Sequence, residues 1–241
     1  MKKITAILFV FLPFLAASQY LEQSEKLLNY QKIDYKFFHF GYTLGINTMD
    51  FGIFPSEEAF AETEMRNDTF PELNKLAPGI DIGIVTNFRI SEYWDFRFLP
   101  GISLGQRNLL YYNNDEKPLD EMILGSTFIN LPFIIRYEAK RHNNFRPYLV
   151  SGINFRWDMA RNKDFNATEG IYVKLEPFDI YFEGAFGMDF YLPYFKLSTE
   201  LKFSVGNFNV LSPDKHDRYP GFVESIDQLK SRMVSLSFHF E

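Results

Sequence analysis

Beyond residue 18 this sequence never runs apolar for the ~18 residues that a membrane helix requires, yet eight segments alternate apolar and polar side chains with a period of two. In the first of them Phe38, Phe40, Tyr42, Leu44 and Ile46 alternate with His39, Gly41, Thr43, Gly45 and Asn47. The same pattern recurs around residues 80–90, 94–107, 129–138, 148–158, 179–190, 195–206 and 234–240. Successive strand side chains point to opposite faces, so each segment is a strand with one apolar face. Such a chain either buries that face or presents it to lipid.

The connections constrain the choice. Long links, at about 50–76, 108–126, 159–177 and 209–228, alternate with short ones at 91–92, 139–144 and 192–193. Long loops on one rim, short turns on the other and an even strand number describe an outer-membrane barrel. A soluble barrel with its apolar face inward alternates equally well. Three features favour lipid. The polar faces carry many glycines, among them Gly41, Gly45, Gly83, Gly101, Gly105, Gly152, Gly187 and Gly206, as a narrow interior requires. Aromatics such as Tyr93, Trp94, Tyr111, Tyr112, Tyr137, Trp157, Tyr191 and Tyr194 gather near strand ends, where interfacial girdles sit. The chain ends on a strand bearing alternating Phe238 and Phe240. The fold expected is all-β: an eight-stranded antiparallel up-and-down transmembrane barrel with four long extracellular loops.

Export is written into the N-terminus. Met1-Lys2-Lys3 is followed by apolar Ile4 to Leu15 and by small residues ending at Ser18, the order of a signal peptide. The domain reading is therefore signal peptide 1–18, periplasmic segment 19–36 and barrel 37–241, in the outer membrane.

Taken inward, the polar faces bring acids Asp81, Asp95, Glu138, Asp158, Asp179, Glu183, Asp189 and Glu200 against bases Arg89, Arg97, Arg107, Arg136, Arg156, Lys196 and Lys202. Eight strands leave room only for side chains, so these charges are expected to pair and fill the lumen, leaving no diffusion channel. The formal net charge of −6 argues against nucleic-acid partners, and the absence of cysteine excludes disulfides and thiolate metal sites. Candidate chemistry is sparse. Glu57, Glu58, Glu62, Glu64 and Asp68 form an acidic loop without ordered calcium-ligand spacing. His216 between Lys215 and Asp217 lacks a nucleophile motif, and His39 and His239 lack further metal ligands. No catalytic, cofactor or metal residues, no cofactor and no small-molecule substrate are expected.

The stretch from His39 to Phe51, HFGYTLGINTMDF, resembles the first strand of the PorT family, small outer-membrane barrels of the Bacteroidetes. Gly41, Gly45, Asn47 and Asp50 carry that motif, and Leu131-Pro132, Arg146-Pro147-Tyr148 and the stretch from Gly184 to Asp189 extend the likeness along the barrel. The resemblance implies a non-enzymatic accessory or assembly role in type IX protein secretion, in some members gliding motility, with other secretion components and membrane lipid as partners. Two alternatives stand beside it: a stand-alone structural or adhesive barrel whose loops bind a surface ligand, and a lipid-modifying barrel enzyme using His216.

Overall fold

The structure, a computed structural model, describes residues 28–55, 70–73, 77–112, 118–160, 173–214, 223 and 226–241. The expected signal peptide, the acids of the first loop, His216 and Asp217 lie outside the described residues.

Ten strands form one antiparallel sheet closed on itself: β1 (Phe38–Pro55), β2 (Phe70–Leu73), β3 (Pro78–Arg89), β4 (Trp94–Phe98), β5 (Gly101–Tyr112), β6 (Pro118–Glu138), β7 (Phe145–Asp158), β8 (Phe178–Tyr191), β9 (Lys196–Gly206) and β10 (Ile226–Phe240). They make eight staves, because β2 is a short piece paired to the end of β5, and β4 and β5 are one stave interrupted at Leu99-Pro100. Pro100 has no N–H to give to the ladder. The register does not slip there, since Thr86 faces Phe98 and Gly83 faces Gly101, so alternation continues through the break. The ring closes where β1 pairs on one side with β3 and on the other with β10, from Tyr42 opposite Phe240 to Ile53 opposite Leu229. No edge is left within the membrane, which is the condition for strands to span lipid.

The direction of the faces settles the choice between a soluble and a lipid-embedded barrel. Phe40, Ile84 and Phe182 are 63%, 56% and 56% exposed, whereas Arg97 and Arg136 are fully buried. A soluble fold would reverse this order. The apolar face is outside, and the charges are inside. Among the described residues no helix is long and apolar enough to cross a membrane, so the crossing is made by strands.

Two expectations change. The links expected at 108–126 and 209–228 are partly strand, because β5 runs to Tyr112, β6 starts at Pro118 and β10 starts at Ile226. β1 likewise continues to Pro55. Above the bilayer water can satisfy either face, so strand pairing persists there without the alternation that reveals strands in lipid. Tyr191, expected in the aromatic girdle, instead points inward and is buried.

The wall makes a depth-dependent prediction. Ile84→Arg, midway along β3, should destabilise the barrel by about 2–4 kcal/mol, while Thr48→Arg, at the outer end of the apolar row, should cost about 0–1 kcal/mol. Denaturant titration of the barrel refolded in lipid vesicles measures both.

Candidate functional site

The lumen holds most of the chain's buried charge, arranged in layers. At the periplasmic end, Asn87 donates to Asp95 at 2.6 Å, and Arg97 donates to Asn87 at 3.1 Å and to Glu241 at 2.9 Å. Lys196 also pairs with Glu241, and His39 stands 3.5 Å from it. On the adjoining strand Arg136, the cross-strand partner of Asp95, bonds Asp189, approaches Glu138 at 3.2 Å and stacks over the Tyr148 ring at 3.7 Å. Ser198 donates to the other Asp189 oxygen at 2.5 Å.

The middle layer is built on Glu183 and Glu200. Arg156 and Asn154 donate to Glu183 at 2.9 and 2.8 Å, Lys202 lies 3.7 Å from it, and Lys202 and His239 each approach Glu200 at 3.5 Å. Asn47 reaches across to Asp81 at 2.6 Å. Toward the outside, Arg107 bonds Asp158 at 2.7 Å, Ser126 at 2.9 Å and Ser231 at 3.1 Å, with its guanidinium 4.5 Å over the Phe51 ring.

Most positions singled out in the sequence therefore meet one another. Arg89 does not join them, because its Nε donates to the Ser91 carbonyl at the exposed rim. Asp179 accepts backbone N–H bonds from Ile180 and Phe208 near the outer end. Sequence reasoning missed Glu241, although it keeps parity with Ser237 and His239 on the inward face of the last strand. It also missed Arg146, which pairs with Glu138, and an inward apolar layer of Val85, Leu99, Ile134, Tyr148, Val150 and Ala185. Packed this way, the layers bordering Thr43, Asp81, Arg156, Glu183 and Lys202 leave a cavity of about 50 Å³, room for water but not for a solute.

Both mouths are covered. On the periplasmic side a short 3-10 turn, Gln31–Tyr35, buries Ile33 and sets Asp34 against Arg141 at 2.7 Å and the Tyr191 hydroxyl at 2.9 Å. Arg141 also donates to the Asn29 carbonyl at 2.6 Å and stacks on Tyr191 at 3.6 Å. On the outer side Val173, Leu175 and Val210 leave the connecting segments and pack with Phe51, Leu124, Ile226 and Leu229. Backbone bonds from Glu176 to Val210 and from Ser212 to Lys174 hold these segments together. The long links thus contribute a lid as well as outer loops.

The residues of the first-strand motif sit at the closure seam. A Cβ on Gly41 would strike the Phe240 carbonyl, and one on Gly45 would stand 3.0 Å from the Leu236 carbonyl and from Ser237. Asn47 ties β1 to β3 through Asp81, and Asp50 faces Arg232 across the seam. Among the described residues no group of three or more His, Asp and Glu is placed to hold a metal.

The family model described as outer membrane protein beta-barrel domain matches residues 18–211. The chain belongs to this family. Its place is accordingly the outer membrane, with lipid around its wall. No curated protein matches the chain in sequence. Solved structures similar to it include Neisserial surface protein A, at 10% identity, 85% coverage of this chain, 98% of that one and a TM-score of 0.42. OprG from Pseudomonas aeruginosa is 12% identical, with 83% and 92% covered and a TM-score of 0.43. Ail of Yersinia pestis, solved in complex with the heparin analogue sucrose octasulfate, is 9% identical, with 83% and 96% covered and a TM-score of 0.40.

The ion pairs and the N-terminal leader, residues 28–36, each give a test. Arg136→Met should cost about 3–5 kcal/mol by stranding Asp189, and the double variant with Asp189→Asn should lose at least ~1 kcal/mol less than the two single losses together. Urea titrations of the four proteins complete the cycle. Asp34→Ala should release the leader from the periplasmic mouth, read as faster tryptic cleavage at Arg141 with the barrel still resistant.

Proposed function

We propose that this barrel conducts no solute and catalyses no reaction, and that it acts through protein contacts as an accessory or assembly component of type IX secretion. The observation that carries the first half is the closure at both ends: residues 28–36 cover the periplasmic mouth, the apolar lid covers the outer one, and the charges between them are paired. A lumen filled in this way keeps the wall rigid, so its free surfaces are what a partner can use. The likeness of residues 39–51 to the PorT first strand supports the secretion role, and the seam position of Gly41, Gly45 and Asn47 gives the motif a structural reason to be there. In this reading residues 1–18 are removed on export, and residues 19–36 lie in the periplasm, where secretion cargo arrives.

Deleting the gene should trap cargo carrying the C-terminal secretion signal in the periplasm, and a plasmid copy should restore it to the medium. Unchanged secretion would overturn the role and favour an adhesive barrel, whose loops would then be tested by deletion for loss of attachment. In planar bilayers the purified protein should show no conductance steps.

A further inference from the structure

The outward face of β10 changes character along its length. Phe240, Phe238, Leu236 and Val234 belong to the apolar wall, but the next two outward positions are Arg232 and Lys230. On the neighbouring stave Arg232 faces Val205, the last apolar residue on the outward face of β9, so the two cations begin where the hydrocarbon belt ends. Among the described residues they are the only cations on the outward face of a strand at the outer end of the barrel.

Both cations border one glycine. Lys230 is the cross-strand partner of Gly52, and the Arg232 guanidinium lies over the same glycine, its Nε and Nη2 only 2.7 and 2.8 Å from where a Cβ would stand. A side chain at position 52 would displace it. Asp50 faces Arg232 across the β1–β10 pair, yet the guanidinium extends past it toward Gly52. No described carboxylate forms an ion pair with Arg232 or Lys230, in contrast to the paired bases of the lumen. Two neighbouring outward cations at the edge of the hydrocarbon, with no ion-pair partner among the described residues, are costly unless an anion joins them.

We propose that Arg232, whose guanidinium lies over Gly52, and Lys230, the cross-strand partner of that glycine, dock the phosphate group of a lipid headgroup in the outer leaflet. A guanidinium binds phosphate through two parallel N–H donors, and an ammonium beside it adds a point charge. The apolar row below, Val234 and Leu236 on β10 with Ile46 on β1, receives the acyl chains of the same lipid. This inference rests on the membrane placement of the barrel and is independent of the secretion role.

The full-length barrel in detergent micelles is titrated with bis-phosphorylated lipid A, with dephosphorylated lipid A and with inorganic phosphate. The expected result is a preference of about tenfold or more for the phosphorylated lipid, lost in K230Q/R232Q and kept in K140Q at the periplasmic rim. A heat-dependent gel shift establishes that each variant is folded. Gly52→Asp, which sets a carboxylate between the two intact cations, should abolish the same preference and serves where the double variant fails to fold. Retention of the preference in either folded variant overturns the proposal. So does displacement of the lipid by an equal concentration of inorganic phosphate, which would mean a free-anion site.

Discussion

Closure of β1 against β10 is the constraint on which everything else depends. Once that seam pairs, every backbone group within the membrane has a partner and the diameter is fixed at eight staves. A ring of that size has an interior only side chains can fill. Whatever the sequence places on the inward parity must pack there, and this chain places charge. Arg97 with Glu241, Arg136 with Asp189, Arg156 with Glu183 and Arg107 with Asp158 are consequences of that narrowness. A buried pair is no sure gain over apolar packing, but losing one partner is expensive, so such layers penalise any slip that separates their members. A one-residue slip would also turn these charges outward into lipid.

The same logic explains why the mouths are treated differently. At the periplasmic end the rim is polar and the covering segment is held by hydrogen bonds, with Asp34 shared between Arg141 and Tyr191. At the outer end β1, β6 and β10 continue above the bilayer with apolar inward residues, Phe51, Leu124, Ile226 and Leu229, and the covering segments answer with Val173, Leu175 and Val210. Arg107 joins the two regimes, its guanidinium ion-paired on one side and over the Phe51 ring on the other. The lumen thus passes from charge to hydrocarbon before it reaches water.

Legibility in the sequence followed the membrane. Where lipid forces one face apolar, as along Phe38–Ile46 or Leu149–Trp157, alternation is strict and the strands could be read directly. Where lipid is absent the signal fades: the upper part of β6 and the start of β10 lack strict alternation and resembled loops, although Leu124, Ile226 and Leu229 on them pack inward. Inward positions were legible when charged and obscure when apolar. Ile134 sits between outward Phe133 and Ile135, and Leu99 follows outward Phe98, so a run apolar on both faces hid a lumen layer. Asp34 was invisible for another reason. Its partners Arg141 and Tyr191 are more than a hundred residues away, and no local periodicity marks a plug.

A filled barrel shifts the question of function from the lumen to the surfaces. The lumen is committed to its own pairs. Two features of the rims stand apart from the lipid-facing wall: residues 28–36 strapped across one end, and at the other a seam where β10 turns from Leu236 and Val234 to Arg232 and Lys230. The first-strand glycines lie on that seam too, where only hydrogen fits between β1 and the carbonyls of Phe240 and Leu236. Closure therefore places the motif glycines and the outward cations of β10 on one line of the wall, and an association that reads either reads whether the barrel is closed.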